Sequence, residues 1–256
     1  MSPPRLTIIV PALNEERHLS LSVKEGLRAA DAAAIACEVI IVDDGSTDGT
    51  LAAAEGLAAS DARIRVVRNP RNMGLGGAYK AGLALARGEF VTWIPADASH
   101  PSDGLIPAYG AIGEADMILP RPTNPQVRAT GRRIISSVYT FLVNSITGLR
   151  IPYYNGLAVH RAELLRSVDV TTDSFGFQAE AITKLVFAGA SYRVVDAAIT
   201  ERQLGRTKAF RIKNVVAVWR TLLHILMSSR RRVASDAQAA GSPAQGSTQA
   251  GAQSQK

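Results

Sequence analysis

The sequence is poor in features that would place it outside the cell or across a membrane. Cys37 is the single cysteine among 256 residues, so no intrachain disulfide can form and a reducing compartment is expected. No uninterrupted apolar stretch approaches the ~20 residues that a spanning helix needs, and the first apolar run, broken by Pro11, is too short for a signal peptide. These absences predict a cytoplasmic protein, either free or attached to the membrane from its cytoplasmic side.

Charge is unevenly distributed along the chain. Residues 1–120 contain 10 basic and 15 acidic residues, a net charge of −5, whereas residues 121–256 contain 19 basic and 7 acidic residues, a net charge of +12. The acidic half is suited to a metal or to hydroxyl groups, and the basic half to phosphate or to an anionic membrane. Because the basic half carries no zinc finger, aromatic RNA-binding motif or basic zipper, we expect no nucleic-acid partner.

The most informative stretch is residues 38–50, EVIIVDDGSTDGT. Its short β-branched run is typical of a buried parallel strand, and the strand ends at Asp43 and Asp44. In open α/β sheets ligands bind at that edge, so two adjacent carboxylates there indicate a binding crevice. The two carboxylates repel one another unless a cation or hydrogen-bond donors meet them. Asp48, farther along the turn, is interpreted equally as a helix cap or as a ligand contact.

The remaining pattern predicts strands and helices that alternate with short connections, and hence a mostly parallel sheet with flanking helices. Pro11 is expected to end the first strand, and Asn14 to cap the first helix. Strands are predicted over residues 6–10, 38–42, 64–68, 90–94, 117–119, 157–159 and 193–195. Helices are predicted over residues 14–34, 51–59, 78–86, 105–113, 134–147 and 177–188.

The chain after residue 211 differs in composition from the part before it. Apolar residues at helical spacing over 212–232, ending in Arg230, Arg231 and Arg232, predict an amphipathic helix. It either lies on a membrane surface or packs on the core as a terminal helix. Residues 233–256, rich in Ala, Gly, Ser and Gln, predict a disordered tail. Residues 1–211 are predicted to form one domain, made of the acidic half (1–120) and the part of the basic half up to residue 211 (121–211).

Five groups of residues carry a resemblance to a known family. The groups are Pro11, Ala12, Asn14 and Glu15; Val42, Asp43, Asp44, Gly45, Ser46, Asp48 and Thr50; Asn72, Gly74, Gly76 and Ala78; Ala96, Asp97, Ser99, His100 and Pro101; and Glu201, Arg202, Gly205, Thr207 and Lys208. Over about residues 6–210 the chain resembles the family 2 glycosyltransferases of the GT-A fold. Within that family it is most similar to the dolichyl- or polyprenyl-phosphate hexose (mannose or glucose) synthases.

The resemblance implies a nucleotide-sugar-binding half (1–120), which contains the nucleotide-sugar pocket, and an acceptor-binding half (121–211). Asp44 is expected close to the ribose or base, since carboxylates accept hydrogen bonds from sugar hydroxyls and base N–H groups. The glycines after Asn72 also suggest a dinucleotide fingerprint, but Tyr79 stands where its third glycine belongs. The residues expected to line the pocket are Pro11, Asn14, Glu15, Asp43, Asp44, Asn72, Gly74 and Ala96.

The family's metal motif, Asp-x-Asp, is altered in this chain. Pro95 replaces the first aspartate, so Mg²⁺ or Mn²⁺ is expected to be held by Asp97 and Ser99 with water and the diphosphate. The structural alternative for Asp97 is a helix cap before Pro101. A second departure lies at residues 152–156, PYYNG, where many members of the family that the chain resembles carry an acidic residue followed by Pro-Thr-Ser-Gly.

The resemblance implies transfer of a hexose, with inversion, from a nucleotide-diphosphate sugar such as GDP-mannose or UDP-glucose to a polyprenyl phosphate. Bringing two anions together requires cations, and arginine binds phosphate bidentately. The candidates are Arg121, Arg132, Arg133, Arg202, Arg206 and Lys208. One alternative is transfer to a hydroxyl acceptor with Asp173 or Glu180 as the base. Another is a catalytically silent nucleotide-sugar-binding protein.

Overall fold

A seven-stranded sheet with helices on both faces organises the chain. The computed structural model describes residues 3–127, 129–174 and 176–199, with Arg132 described only in its backbone. The strands are β1 (Leu6–Ala12), β2 (Cys37–Asp43), β3 (Ile64–Arg68), β4 (Phe90–Trp93), β5 (Met117–Pro122), β6 (Val159–Arg161) and β7 (Tyr192–Ala197). The helices are α1 (Leu19–Ala32), α2 (Thr50–Ser60), α3 (Gly74–Leu85), α4 (Ser102–Gly110), α5 (Thr130–Thr147), α6 (Ala162–Ser167) and α7 (Phe177–Phe187). A short 3-10 turn, Pro125–Val127, precedes α5.

The strands lie in the order β3-β2-β1-β4-β6-β5-β7. β6 runs antiparallel to both of its neighbours, β4 and β5, while the other pairs are parallel. β2 is buried at every one of its seven positions, as expected for a central parallel strand with both faces covered. The carboxyl ends of β1 to β5 and of β7 therefore meet at one edge of the sheet.

Alternation along the central strands divides the core between the two faces of the sheet. Ile8 and Ile41 face a cluster that includes Leu19 of α1 and Tyr109 of α4. Ile9, in contrast, belongs to the cluster on the opposite face, which includes residues of α3, α5 and α7. Both faces are thus covered, and loops at the sheet edge remain as the place for a ligand.

Within the described residues, the seven predicted strands and six of the seven predicted helices are found, with several wrong boundaries. The strand predicted over residues 157–159 is shifted to Val159–Arg161. Pro11 does not end β1, because the ladder with β2 continues to Ala12 opposite Asp43. Pro11 lies beyond Ile9, the last β1 residue paired with β4, so its missing N–H breaks no ladder on that side. Asn14 does not cap α1, which begins at Leu19.

Two further boundaries are wrong for identifiable reasons. The glycines after Asn72 form the first turn of α3 and not a loop, because they permit a close backbone contact described below. α5 begins at Thr130, which brings the arginines at positions 132 and 133 into its first turn. α6 was not predicted, since six residues carry too little periodicity. The loop at 201–208, the helix at 212–232 and the tail lie outside the described residues.

Candidate active site

The sheet edge gathers most of the predicted acidic residues. Asp43 is the last residue of β2, Asp97 follows β4, and Arg121 lies near the end of β5. Neighbouring strands are spaced ~4.8 Å apart, and β6 lies between β4 and β5. The ends of β4 and β5, near Asp97 and Arg121, are therefore about 10 Å apart along the edge. The edge thus carries carboxylates toward β2 and cations toward β5.

The loops that follow β1 and β2 are joined by a network around Asn14. Asn14 has a left-handed φ of 55°, which asparagine tolerates, and its Oδ1 accepts a hydrogen bond from the Thr47 backbone N–H at 2.9 Å. The backbone N–H of Asn14 donates to Ser46 Oγ at 3.0 Å, and that of Glu15 donates to Thr50 Oγ1 at 2.8 Å. Asn14 therefore holds the shape of the predicted nucleotide loop instead of capping a helix.

Asp48 belongs to the same network. Its Oδ1 accepts the Thr50 backbone N–H at 3.0 Å in the first turn of α2, and hydrogen bonds to Thr50 and Glu16 lower its pKa against the opposing effect of burial. The N-cap position of α2 is Gly49 and carries no side-chain cap, so Asp48 stabilises the turn just before the helix, and its contact with a ligand stays a prediction.

Asp43 has an unused acceptor in a fully buried carboxylate. Its Oδ1 accepts the Ser46 backbone N–H at 3.1 Å. Its Oδ2 accepts no hydrogen bond from the described residues, although Arg68 Nε lies 3.4 Å away as an ion pair. A buried acceptor without a donor is costly unless a ligand supplies one. This arrangement suits a base N–H or a ribose hydroxyl.

Asp44, in contrast, is occupied by the protein. Its carboxylate accepts hydrogen bonds from Asn69 Nδ2 at 2.7 Å and from the backbone N–H groups of Met73 at 2.9 Å and Gly74 at 3.0 Å. These donors explain how two adjacent carboxylates coexist. Asp44 therefore supports the loop before α3, and its contact with a ribose or base stays a prediction.

Asp97 lies in a tight turn between β4 and α4. Ser99 donates to Asp97 Oδ1 from its backbone N–H at 3.1 Å and from Oγ at 2.5 Å, and His100 Nδ1 lies 3.0 Å from Ser99 Oγ. Among the residues that the structure describes, no group of three or more His, Cys, Asp or Glu side chains could form a metal cage. One carboxylate with a neighbouring hydroxyl fits Mg²⁺ or Mn²⁺ that is held mainly by substrate phosphate and water.

The glycines of α3 lie against the segment before α7. A Cβ on Gly76 would come within 2.4 Å of the Thr172 carbonyl oxygen, and the Gly76 N–H donates to the Asp173 carbonyl oxygen at 2.8 Å. Lys80 of α3 pairs with the Asp173 carboxylate at 2.5 Å. The glycines are thus needed for close packing between two chain segments, which explains them without a dinucleotide site.

Glu180, the other candidate base, is buried in α7. Burial alone would raise its pKa, but hydrogen bonds from Lys184, Thr172 and Thr171 outweigh it and lower the pKa to about 2. Its side chain is fully buried and paired with Lys184. Glu180 therefore holds the 171–172 segment and cannot reach an acceptor in solvent, which leaves Asp173 as the available carboxylate for that alternative.

A cavity of about 760 Å³ lies beside α5, at the cationic end of the sheet edge. Arg121, Arg133 and Arg150 line it together with hydroxyl groups of α5. Arg121 is paired with Asp196 through Nε at 2.9 Å and Nη2 at 2.7 Å. Arg133 and Arg150 have no carboxylate partner within the described residues, and the cavity is therefore suited to an anion.

The cavity is separate from the carboxylate end, because Glu15, Asp43 and Asp97 do not line it. Arg150 was missed in the sequence, where its only signal is a cation between Gly148, which ends α5, and Pro152. Arg202 and Lys208 lie outside the described residues, as does the Arg132 side chain. The roles of all these residues stay predictions.

Comparison with known proteins gives consistent matches over most of the chain. The family model described as Glycosyl transferase family 2 matches residues 7–171. An undecaprenyl-phosphate mannosyltransferase of Micrococcus luteus is 31% identical over 217 residues, covering 80% of this chain and 87% of the relative. A polyprenol monophosphomannose synthase of Mycolicibacterium smegmatis is also 31% identical over 217 residues, covering 80% of each chain.

A solved structure shares the fold. Glucosyl-3-phosphoglycerate synthase from Mycobacterium tuberculosis, crystallised with Mn²⁺, UDP-glucose and phosphoglyceric acid, superposes with a TM-score of 0.64. The two chains are 20% identical, and the match covers 88% of this chain and 79% of the other. At that identity the likeness establishes the arrangement of strands and helices and not the substrate.

Proposed function

Because the chain belongs to glycosyl transferase family 2 and has the GT-A fold, we propose that it transfers a hexose to a polyprenyl phosphate. The donor is a nucleotide-diphosphate sugar of the GDP-mannose or UDP-glucose type, and transfer inverts the anomeric carbon at the cytoplasmic face of the membrane. The arginine-lined cavity beside α5 carries the proposal, since a phosphate acceptor needs such cations. The two relatives that act on polyprenyl phosphates support the same acceptor class.

The carboxylate end of the sheet edge binds the donor in this proposal. Asp43 Oδ2 accepts a hydrogen bond from the base or ribose, and the loop around Asn14 and Ser46 keeps that oxygen in place. Asp97 and Ser99 would hold a divalent cation near the diphosphate. When bound, that cation would stabilise negative charge on the leaving diphosphate.

The cationic end of the edge binds the acceptor. Arg133 and Arg150 neutralise the lipid phosphate and bring one of its oxygens toward the sugar. That oxygen is already anionic at neutral pH, so no base must remove a proton. It forms a bond to the anomeric carbon while the bond from that carbon to the diphosphate breaks, and the electron pair leaves with the nucleoside diphosphate. Catalysis then rests on positioning and charge stabilisation.

The proposal is tested with purified protein, short polyprenyl phosphate, Mn²⁺ or Mg²⁺, and a panel of UDP- and GDP-sugars. We expect a glycosyl phospholipid with one donor, detected by mass spectrometry. Arg133→Ala and Arg150→Ala should each lower kcat/KM for the lipid about 10- to 100-fold, because each removes a charge-assisted hydrogen bond. Their affinity for the nucleotide alone should change less than about twofold, since the cavity is separate from the donor loops.

Arg193→Ala provides the matched control, because Arg193, on β7, does not line the cavity and forms an exposed ion pair with Glu114. Normal transfer by both cavity variants would contradict the assigned acceptor site. Transfer to a sugar hydroxyl and not to the lipid would favour the alternative with Asp173 as base. Nucleotide-sugar binding without any transfer would identify a silent binder.

We also propose that α5 contacts the membrane surface. Four apolar side chains on this helix are largely exposed, with exposed fractions of 58% for Ile134, 53% for Ile135, 50% for Val138 and 68% for Phe141. They adjoin the arginine-lined cavity, and Phe141 contributes to both. Apolar residues beside cations are complementary to an anionic bilayer. Within the described part of the chain, no helix is long and apolar enough to cross the membrane.

Co-sedimentation with anionic phospholipid vesicles tests this surface. Phe141→Ser should lower the vesicle partition coefficient about tenfold or more, since it removes a large exposed apolar side chain. Leu21→Ser, which changes an exposed apolar residue on a different helix, α1, should have little effect. Equal binding by both variants would exclude α5 as the contact. If only Leu222→Ser reduced binding, the predicted helix at 212–232 would be the anchor instead.

The domain division stays part of the proposal. Residues 1–120 would supply the donor loops and residues 121–211 the acceptor cavity, although both contribute strands to one sheet.

A further inference from the structure

One side of α1 lies against the segment between β4 and α4 that carries Asp97. Ser22, Glu25 and Gly26 stand at positions i, i+3 and i+4 of the helix, so they point to the same side. Each of the three contacts a different part of residues 94–102.

Ser22 forms hydrogen bonds to the backbone on both sides of Asp97. Its side chain is almost fully buried, with an exposed fraction of 3%. Its Oγ donates to the Pro95 carbonyl oxygen at 3.0 Å and accepts the Ala98 backbone N–H at 2.7 Å. Ala98 has a left-handed φ of 55°, which is unfavourable for a residue with a Cβ. The hydroxyl of Ser22 therefore holds the turn on both sides of Asp97 in a conformation that the local sequence does not favour.

Glu25 and Gly26 fix the flanks of the same segment. The Glu25 carboxylate accepts the Ser102 backbone N–H at 2.7 Å where α4 begins, and this bond is the main reason that its pKa is lowered. A Cβ on Gly26 would lie 2.8 Å from Ile94 Cδ1, so glycine allows α1 to approach the end of β4. The segment is thus held at its beginning, middle and end by one helix.

The turn before α1 contacts the predicted nucleotide loop. Glu16 Oε2 accepts the Gly49 backbone N–H at 2.7 Å, and His18 Nδ1 lies 3.2 Å from Glu15 Oε2. One rigid element therefore links the loop after β2 to the turn that carries Asp97. Asp97 is also the only carboxylate between Glu89 and Asp103, so no neighbouring residue in the segment can take its place.

We infer that Ser22, supported by Glu25, is a positioning residue that sets where Asp97 meets the donor diphosphate and its divalent cation. The inference rests on the proposed function, because it needs Asp97 to face the donor. Ser22 itself touches neither the sugar nor the phosphates in this assignment. It acts by fixing the backbone of residues 95–98 relative to the loop that binds the nucleotide.

Ser22→Ala, Ser22→Thr and the control Ser20→Ala test the inference. Ser20 lies on the same helix, and no hydrogen bond to the Asp97 segment is found for it among the described residues. Mn²⁺ binding is measured by the electron paramagnetic resonance signal of free Mn²⁺, with UDP or GDP present, alongside transfer kinetics. Ser22→Ala should weaken Mn²⁺ binding and lower kcat about 10- to 100-fold, the usual effect of removing a residue that orients a metal ligand.

Two further readouts separate positioning from general damage. Nucleotide affinity without metal should stay within about twofold of wild type, because the Asp43 loop keeps its own contacts. Ser22→Thr, which retains the hydroxyl, should restore most of the Mn²⁺ affinity. If Ser22→Ala does not fold, Glu25→Ala should weaken Mn²⁺ binding in the same direction, with Glu55→Ala on α2 as its control.

Mn²⁺ binding and kcat of Ser22→Ala equal to those of Ser20→Ala would overturn the inference. Absence of Mn²⁺ binding by the wild-type protein with either nucleotide would overturn it as well. Failure of the wild type to glycosylate any polyprenyl phosphate would instead remove the proposed function. The Mn²⁺ comparison would then still decide the role of Ser22, since it needs no acceptor.

Discussion

Two adjacent aspartates have different surroundings and are expected to respond differently to the same substitution. Asp43→Asn removes the charge from a carboxylate whose Oδ2 accepts no hydrogen bond within the described structure. We expect nucleotide affinity to fall about 10- to 100-fold, the loss of one hydrogen bond to a charged group, with little change in melting temperature. Isothermal titration with UDP and GDP measures the first quantity, and thermal unfolding the second.

Asp44→Asn is the contrasting variant. Its carboxylate accepts three hydrogen bonds that hold the loop before α3, and an amide nitrogen in place of one oxygen opposes N–H donors. We expect a loss of stability of about 1–3 kcal/mol, measured by urea unfolding. A pair of variants that lose affinity and stability equally would show that the two residues act together, contrary to their separate contacts.

At the scale of elements, the packing of α3 depends on glycine. A Cβ on Gly76 would lie 2.4 Å from the Thr172 carbonyl oxygen. Gly76→Ala should therefore separate α3 from the segment before α7 and cost about 1–3 kcal/mol, the typical penalty of overpacking. Gly56→Ala is the control, because a Cβ there meets nothing within 4 Å and alanine should stabilise α2 by about 0.5–1 kcal/mol. Urea unfolding of both variants measures the difference, and two similar results would mean that α3 shifts without strain.

Sequence patterns located elements well but not their ends. Strand β2 was predicted because a buried parallel strand is apolar throughout, and its burial at all positions confirms this. The start of α3 was predicted wrongly, because its glycines pack against Thr172 and Asp173, about 100 residues later in the sequence. Local helix propensity does not describe such a contact. Asn14 was assigned as a cap for the same reason, since its partner is Thr47 of another loop.

At the scale of the whole molecule, stability should depend on acidic pH through Glu180. Its pKa is lowered to about 2 in the fold from the ordinary value of 4.5. A carboxyl with a depressed pKa stabilises the fold fully above its unfolded value, and this contribution is lost as pH falls from about 5 toward 2. The difference between these pKa values corresponds to roughly 3 kcal/mol.

Urea unfolding of wild type and Glu180→Gln between pH 7 and pH 3 measures this contribution. Glu180→Gln should be less stable at pH 7, and the two proteins should converge as the pH falls. A constant difference over that range would show that Glu180 is not the group responsible.

Family, fold class and catalytic type followed from the sequence and are confirmed by the comparisons and the strand order. The gathering of Asp43, Asp97 and Arg121 at one sheet edge was also predictable, because parallel strands share their carboxyl edge. The position of Arg150 in the cavity lining was not predictable, since it depends on how the segment after α5 folds back beside the cavity. The contacts of Ser22 were not predictable for the same reason, because its hydrogen-bond partners lie on a loop that is distant in the sequence.

The antiparallel direction of β6 is relevant to which monosaccharide the protein transfers. Since β6 runs against β4 and β5, the segment that leads into it, residues 152–158, arrives at the same edge as the loops of its neighbours, between the donor side and the cationic side. If the proposed reaction is correct, Tyr153 and Asn155 would lie between the donor sugar and the lipid phosphate. We therefore expect that replacing residues 152–158 with those of a relative changes the preferred monosaccharide, while affinity for the nucleotide and for the lipid phosphate is retained.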